Sequence, residues 1–262
     1  MKDIDISLID KKMDINKYFD KTFYIGFIAI LIYYFLFDIY NTVLLQLIYP
    51  LFNQNSNSFS SLINASYNMI IYIAIAIPLF FIYKDSLIKD YKRIDDTNKF
   101  CLYIIFSLIA LFIVNIVSSI LQNLIVSGVS KNEETIQTIY KNKLSFCILF
   151  PQVVILAPFV EELIFRRSFF NIFKNKYIAL IITTLIFGFM HVTSTYQSLI
   201  KTYDFNTSIY YTFGYAIPYL ANGLLFGLIY IKSDKNIYVS MMVHLINNFS
   251  ASILSILIIS LI

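Results

Sequence analysis

The residues of this sequence most able to do chemistry are ionisable side chains inside long apolar runs. Two adjacent glutamates, Glu161 and Glu162, follow the apolar run 144–160. Both histidines of the chain also fall inside apolar runs, His191 at the end of "LIFGFMH" and His244 within "SMMVHLINN". Charge is expensive in hydrocarbon, so ionisable residues in such runs usually mark a working site. The sequence therefore predicts a site built from carboxylates and imidazoles.

Helical periodicity separates the four charges of "EELIFRR" (161–167). Glu162 and Arg166 are four residues apart, so they share a helix face and can form an ion pair that lowers the cost of burying each. Glu161 is rotated by ~100° from its neighbour, which leaves it without a local partner. Arg167 is expected to extend towards lipid headgroups at the membrane surface. The pattern thus predicts one supported carboxylate and one free carboxylate.

The spacing of the polar turns predicts that distant residues lie at one depth. Glu161 and His191 are 30 residues apart, with their midpoint at the polar turn 174–176. In an antiparallel helical hairpin folded there, each side chain lies roughly 21–23 Å from the tip and the two can face each other. His244 lies about 12 Å beyond the polar turn 232–236 by the same rise per residue. We expect the three side chains to meet in one pocket.

Two further pairs have the four-residue spacing of one helix face. Phe187 precedes His191 by four residues, and His244 precedes Asn248 by four, whereas Asn247 is expected to point elsewhere and bond within the bundle. A carboxylate and an imidazole that flank a water can remove its proton, while a second imidazole and an amide donate hydrogen bonds to an oxyanion. These residue types are the equipment for hydrolysis of a peptide bond.

The composition says what must position these residues. The chain has 262 residues, of which 58% are hydrophobic and 14% charged, against roughly 25% charged in soluble domains. Each apolar run is about as long as a helix needs to cross a ~30 Å hydrocarbon layer. The sequence therefore predicts an all-α, polytopic transmembrane helical bundle of seven to eight membrane helices. Seven runs are visible: about 22–50, 67–83, 100–126, 144–165, 177–194, 209–231 and 237–262.

The basic residues predict the orientation, because cytoplasmic loops retain positive charge. Lys and Arg counts alternate between high and low along the connecting segments, from five in residues 1–21 to none after the last polar turn. This alternation predicts that the N-terminus and the loops 84–99 and 166–176 are cytoplasmic. The loop 127–143, with three lysines on the other side, fits least well. We expect three parts along the chain: a cytoplasmic segment 1–21, transmembrane helices without a motif in 22–143, and catalytic transmembrane helices in 144–262.

Composition also limits the source and the partners. The sequence is rich in Ile, Asn, Lys and Tyr and has no Trp, which favours an AT-rich bacterial genome and hence a bacterial plasma membrane. The net charge of +4 includes no basic arm, so nucleic acid is not an expected partner. Cys101 and Cys147 have neither paired nor metal-ligand spacing, and we interpret both as small core hydrophobes.

Three ordered motifs carry a resemblance to a known family. "EELIFR" (161–166) has the pattern EExxxR, "FGFMH" (187–191) has FxxxH, and "HLINN" (244–248) has HxxxN. Residues 144–250 thereby resemble the CPBP (Abi) family of intramembrane proteases. That family includes the type II CaaX prenyl endopeptidases and bacterial proteins of bacteriocin processing and immunity.

The resemblance implies a role for each motif residue. It implies that Glu161 activates a water with help from His191, and that His244 and Asn248 form the oxyanion site. It further implies that Glu162, Arg166 and Phe187 support these groups. The expected substrate is a membrane-associated peptide or protein, such as a bacteriocin precursor or leader peptide, since prenylated CaaX proteins are not expected in bacteria.

Two other functions use the same residues. Glu161, His191 and His244 could be ligands of a catalytic zinc ion, although the ligands lack the compact HExxH spacing and Asn248 is a poor zinc ligand. We therefore expect no cofactor. The chain could alternatively be a non-enzymatic immunity or binding protein, or a proton-coupled transporter, although paired repeats typical of transporters are not evident.

Overall fold

The computed structural model describes residues 19–43, 57–94 and 97–261. Within these ranges the chain forms helices joined by turns, without a β-strand, which confirms the predicted all-α class. The helices in chain order are α1 (Lys21–Thr42), α2 (Asn57–Lys92), α3 (Thr97–Asn123), α4 (Lys131–Tyr140), α5 (Lys143–Ile172), α6 (Lys176–His191), α7 (Thr193–Leu199), α8 (Phe205–Lys232) and α9 (Ile237–Leu261).

Six of the described helices, α1, α2, α3, α5, α8 and α9, are long and apolar enough to cross a membrane. The 16-residue α6 is shorter, but it bends by 50° into α7, and the two together make a seventh candidate span. The prediction of a multi-pass helical bundle is confirmed, with the seventh span broken after His191. Residues 1–18 of the predicted cytoplasmic segment and 44–50 of the first predicted span lie outside the described residues.

Two segments predicted as loops contain helix. The first is 84–99, where α2 continues as far as Lys92. The second is 127–143, which contains α4. The sequence of α4 carries its own start signal, because the Ser130 hydroxyl accepts a hydrogen bond from the Glu133 backbone N–H at 3.3 Å. Both segments are too polar to be recognised as spans, and this is why apolar run length alone did not predict them as helical.

The end of α4 is anchored by a small apolar cluster. Ile139 and Tyr140 pack with Leu149 of α5 and Ala65 of α2. The Tyr140 hydroxyl also lies 3.0 Å from the Ser252 hydroxyl of α9. These contacts fix α4 across one end of the bundle.

Helix α5 is not a uniform α-helix. Two π-helical turns, Gln152–Leu156 and Leu163–Ser168, flank the α-helical turn Ala157–Glu162 that carries the paired glutamates. In the first π turn the Ala157 N–H donates to the Gln152 carbonyl, five residues back. Single π turns inside α-helices occur frequently at functional sites. Wide turns thus bracket both carboxylates.

Close packing of α6 against α8 sets the position of the histidine-bearing helix. A Cβ added to Gly188 would lie 2.4 Å from Leu220, and one added to Gly227 would lie 2.4 Å from Leu180. Small residues at these two positions let the helix backbones approach closely, as is common in membrane bundles. A larger residue at either position would push α6 outwards and carry His191 with it.

The outer faces of the bundle are apolar. Large side chains such as Phe35, Phe81 and Phe112 are about two-thirds exposed on the isolated chain. Extensive exposed apolar surface of this kind marks contact with hydrocarbon. Cys101 and Cys147 lie on this exposed surface, so their interpretation as core residues is wrong. Polarity alone cannot separate a buried helix face from a lipid-facing one.

Candidate active site

A cavity of about 530 Å³ lies among α2, α3, α4, α5, α8 and α9 and the end of α6. Five of the seven predicted site residues line it: Glu161, Phe187, His191, His244 and Asn248. The other two, Glu162 and Arg166, lie behind the cavity wall and are fully buried. The structure therefore brings together residues that are up to 87 positions apart in the sequence.

Glu161 lines the cavity and has one carboxylate oxygen without a hydrogen bond. Its side chain is nearly buried, with 4% of the residue exposed. Its Oε2 atom accepts no hydrogen bond from the described residues. The nearest imidazole is that of His244, whose Nε2 lies 3.7 Å from this oxygen. The hairpin geometry predicted that Glu161 and His191 can face each other. Both line the cavity, but no ring nitrogen of His191 lies within 4 Å of the Glu161 carboxylate.

Glu162 has the ion pair that its spacing predicts. Its Oε2 lies 3.4 Å from Arg166 Nε, although the two atoms are not aligned as a hydrogen bond. Its Oε1 accepts a hydrogen bond from His244 Nδ1 at 3.0 Å. Arg166 also donates to the Gly223 carbonyl at 3.3 Å. Because the π turn that begins at Leu163 spreads consecutive residues over one face, Arg166 lies in the electrostatic field of both glutamates.

The two imidazoles are held by aromatic rings. His191 stacks on Tyr219 with ring centroids 4.8 Å apart, and its ring lies 4.5 Å from that of Phe187. His244 stacks on Phe226 with a centroid distance of 4.4 Å. Phe187 also lies 5.9 Å from the His244 ring. Phe187 therefore separates the two histidines and fixes both.

The hydrogen bonds of the imidazoles define their tautomers. His191 Nδ1 lies 2.7 Å from the Phe187 carbonyl oxygen. A carbonyl can only accept, so Nδ1 carries the proton and Nε2 keeps a lone pair. His244 Nδ1 likewise donates to the Glu162 carboxylate. The Nε2 atom of each ring is thereby left for chemistry in the cavity.

Asn248 is tied to the π turn of α5. Its Nδ2 donates to the Val153 carbonyl at 3.0 Å. That carbonyl lacks a helical donor because Ala157 N–H bonds to Gln152, and Pro158, five residues on from Val153, has no N–H. Proline thus frees a carbonyl, and the Asn248 amide satisfies it.

A chain of four side-chain amides runs across the cavity wall. Asn222 donates to Asn115 at 3.1 Å, Asn115 donates to Asn247 at 3.0 Å, and Asn247 donates to Asn248 at 3.3 Å. The prediction that Asn247 bonds within the bundle is confirmed, but the prediction that it points elsewhere is wrong, since it lines the same cavity. The reason is that Asn115 of α3 forms hydrogen bonds with both Asn222 and Asn247 and so brings Asn247 to the cavity.

Sequence reasoning did not single out Asn115 or Asn222, because it considered ionisable residues and the neighbours of the histidines. A usable signal was present. Asn115 lies in the middle of the apolar run 100–126, where an unpaired amide would also be costly. Uncharged polar residues in a predicted span therefore identify helix contacts as well as charged residues do.

Arg167 does not extend to lipid headgroups as predicted. It forms a short ion pair with Asp90 of α2, and its guanidinium lies 5.8 Å from the Tyr230 ring. Asp90 is 2% exposed. The prediction was wrong because it places residues 84–92 in a loop. These residues continue α2 and carry Asp90 into the bundle.

The three proposed zinc ligands do not form a metal site in this structure. Within the described ranges, no three His, Cys, Asp or Glu side chains are grouped as metal ligands. The hydrogen bonds from Nδ1 of the two imidazoles are also compatible with metal binding through Nε2, so the spacing of the three side chains, and not their hydrogen bonds, is what does not fit zinc. No step below involves a metal.

Comparisons with known proteins give a family match and two similar bacterial proteins. Residues 143–250 match the family model described as type II CAAX prenyl endopeptidase Rce1-like. An uncharacterized protein of Mycoplasma capricolum subsp. capricolum is 26% identical over 197 residues, which cover 71% of this chain and 53% of that protein. The UPF0177 protein YajF of Lactococcus lactis subsp. lactis is 51% identical over 39 residues, covering 15% of this chain and 19% of that protein.

This chain therefore spans about half the length of the first relative and about a fifth of the second. No solved structure matches the chain at a significant level. The family match covers the helices that carry all three motifs and the cavity residues within them. Residues 143–250 are therefore similar to the type II CaaX prenyl endopeptidase Rce1-like family, which supports the resemblance that the three motifs carry.

Proposed function

We propose that this protein is an intramembrane endopeptidase that hydrolyses a peptide bond of a membrane-associated peptide or protein. The observation that carries the proposal is the nearly buried Glu161, which has a carboxylate oxygen without a hydrogen bond and lines a cavity together with His191, His244 and Asn248. A buried carboxylate oxygen without a partner costs free energy. A water in the cavity would supply the missing hydrogen bond and would at once be placed for deprotonation.

In the proposed reaction, Glu161 takes a proton from this water, assisted by the lone pair on His191 Nε2. The water oxygen bonds to the carbonyl carbon of the substrate, and the electron pair moves to the carbonyl oxygen. His244 Nε2–H and the second N–H of the Asn248 amide donate to that oxyanion. When the C–N bond breaks, Glu161 returns its proton to the leaving nitrogen, so the atoms balance.

The charges of the cluster suit the proposed reaction steps. His244 lies between two carboxylates, at 3.0 Å from Glu162 and 3.7 Å from Glu161. A protonated His244 and the Arg166 guanidinium would balance the two carboxylates. Donation from His244 to an oxyanion requires a proton on both ring nitrogens, since Nδ1 already donates to Glu162. Glu162 and Arg166 thereby support the donor without touching the substrate.

The substrate class follows from the surroundings of the site. The cavity lies in a multi-pass membrane domain, and both relatives are bacterial. Bacteriocin precursors, leader peptides and signalling peptides are peptides that reach such a site, and a role in self-immunity would use the same cleavage. We further propose that the protein lies in the bacterial plasma membrane with its N-terminus in the cytoplasm, as the alternation of basic residues predicts.

The test is the near-isosteric change Glu161→Gln, which removes the base while leaving the shape. Cleavage of added peptides by the purified protein in nanodiscs should fall by about 10²–10⁴-fold, with the variant still inserted in the membrane. Glu134→Gln is the matched control, because Glu134 is an exposed carboxylate on α4 outside the cavity lining. Comparing the peptides of cells that carry wild-type or Glu161→Gln protein would identify the substrate.

The outcome also decides between cleavage and binding. Wild-type biological function in the Glu161→Gln variant, with no peptide product lost, would show that the chain acts as an immunity or binding protein. Activity that survives exhaustive chelation would support the metal-independent reaction proposed here. Stoichiometric zinc lost together with activity would overturn it.

A further inference from the structure

The cavity extends well beyond the proposed catalytic residues, as far as α4. Its far wall carries a second carboxylate, Glu133. Among the described residues that line the cavity, Glu133 and Glu161 carry the acidic groups and no lysine or arginine is present. Most of the other polar lining groups are amides and hydroxyls. The interior therefore favours a polar peptide segment that brings its own positive charge.

Glu133 is held in place without a cationic partner. Its Oε1 accepts hydrogen bonds from Ser255 Oγ at 2.8 Å and from Gln137 Nε2 at 3.0 Å. Among the described residues, no basic group forms an ion pair with it, whereas the next residue, Glu134, pairs with Lys131 at 2.7 Å on the exposed face. Two adjacent carboxylates of α4 thus differ: one is neutralised outside the cavity, and the other is fixed inside it with Oε2 available.

The frame that holds Glu133 is anchored at both ends of α4. At its start, the Lys131 N–H donates to Thr195 Oγ1 at 2.9 Å, and the Ser130 hydroxyl lies 2.7 Å from that of Tyr219. At its end, Tyr140 is buried against its neighbours. Tyr219 also stacks on His191. One set of contacts therefore fixes the carboxylate of α4 relative to the proposed catalytic centre.

The distance from His244 to Ser255, the residue of α9 that bonds Glu133, corresponds to a short peptide. Ser255, which bonds Glu133, lies eleven residues beyond His244 on α9, or about 16 Å at 1.5 Å per residue. An extended peptide advances roughly 3.3–3.5 Å per residue. A chain that reaches from His244 to Glu133 therefore spans about five residues.

The residues that line the cavity include two buried acceptors without a hydrogen bond. Asn222 Oδ1 is buried in the lining and accepts no hydrogen bond from the described residues. Glu161 Oε2, the other lining atom in this state, lies at the catalytic end. Unsatisfied buried acceptors of this kind point to a ligand with N–H or O–H donors. A bound peptide supplies both.

We propose that Glu133 determines specificity by binding a Lys or Arg side chain of the substrate about five residues from the scissile bond. This inference rests on the proposed peptidase function and adds the chemistry of one subsite. The Ser255 and Gln137 donors orient the carboxylate, and its free oxygen accepts from the substrate cation. The substrate thus reaches the catalytic centre through the α4 end of the cavity.

The test uses the full chain in nanodiscs and a mixture of synthetic 14-residue peptides of random sequence, with the products sequenced by mass spectrometry. Wild-type products should be enriched in Lys and Arg four to six residues from the cut on one side. Glu133→Gln should lower that preference by about tenfold, as expected for one partly buried charge pair. Glu133→Lys should reverse the preference towards Asp and Glu.

Glu134→Gln is the matched control and should keep the wild-type preference. An unchanged preference in Glu133→Gln, or no enrichment of basic residues in the wild type, would overturn the inference while leaving the proposed function intact. Failure of the proposed function has a different signature, because Glu161→Gln would then cut as well as the wild type. Should no peptide be cut, binding of a fluorescein-labelled Lys-containing peptide by Glu161→Gln decides, since adding Glu133→Gln must weaken it about tenfold.

Discussion

Two buried carboxylates of this bundle differ in how completely their oxygens are hydrogen-bonded or ion-paired. Asp90, where α2 meets the turn between α8 and α9, is 2% exposed, and Glu161 in α5 is 4% exposed. The Asp90 carboxylate pairs with Arg167, accepts from the Ile237 N–H at 3.1 Å and lies 3.6 Å from Arg93. The Glu161 carboxylate keeps an oxygen without a hydrogen bond and faces a cavity.

The contrast separates a structural charge from a functional one. The Asn236 side chain donates to the Asp90 carbonyl, and Arg93 donates to that of Asp234, so the surroundings of Asp90 join three helices. Asp90 does not line the 530 Å³ cavity that Glu161 lines. Burial alone therefore does not identify the reactive group. The carboxylate that is buried, incompletely bonded and next to open space is the candidate for catalysis.

The same carboxylate-to-amide change should affect the stability of the two clusters differently. This difference is the largest effect on stability that we expect. Asp90→Asn leaves Arg167 without its counter-charge and should lower the free energy of unfolding by about 2–4 kcal/mol. Glu161→Gln should leave stability unchanged or raise it slightly, because Glu161 Oε2 has no hydrogen bond to lose. The measurement is the midpoint of thermal unfolding in one detergent.

Asp85→Asn is the control for this comparison, since Asp85 is exposed on the same helix five residues earlier. It should change the midpoint little. Replacing the pair together, as Asp90→Leu with Arg167→Met, should recover part of the stability, because no uncompensated charge remains. Equal losses in Asp90→Asn and Glu161→Gln would contradict the distinction drawn between the clusters.

The sequence predicted what depends on local spacing. The four-residue spacing of Glu162 and Arg166 predicted their contact, and the polar residues in apolar runs led to the cavity lining. Contacts that depend on the relative placement of helices could not be predicted from the spacing of residues in the sequence. The pairing of Arg167 with Asp90 joins residues 77 positions apart, and the acceptor for Asn248 exists only because Pro158 has no N–H to offer Val153. Such pairings follow from the assembled bundle.

The amide chain offers a second way to sharpen the comparison, with a smaller effect that falls on activity. Asn115 lies in α3, outside residues 143–250, and reaches Asn248 through Asn247. We expect it to be a positioning residue for the oxyanion donor. Asn115→Ala should lower kcat about tenfold while KM changes less than about threefold, because a small displacement of a catalytic group affects the transition state more than binding.

Ser118→Ala is the control, since among the described residues the Ser118 hydroxyl on the same helix donates to the Asn115 backbone carbonyl at 3.3 Å and to no other group. It should leave both constants close to the wild-type values. Asn115→Asp keeps the acceptor for Asn222 but replaces the donor to Asn247 by a charge, so it should not restore kcat. A fall in kcat and in unfolding midpoint of equal size for both alanine variants would assign the amide chain to stability.

An exposed carboxylate with many partners completes the comparison and should give the smallest effect. Asp20 accepts from Thr22 Oγ1, from Lys174 and from the Phe23 N–H, and the first of these bonds contributes most to holding its pKa well below the usual range. A carboxylate with a lowered pKa adds stability that is complete above its unfolded pKa of roughly 3.9 and is lost as the pH falls through the folded value. Asp20→Asn should therefore lower the unfolding midpoint by no more than about 2 °C at pH 7, since solvent screens exposed pairs, and the difference should shrink as the pH falls below about 3. A shift as large as that of Asp90→Asn would show that the number of partners, and not burial, sets the contribution of a carboxylate to this fold.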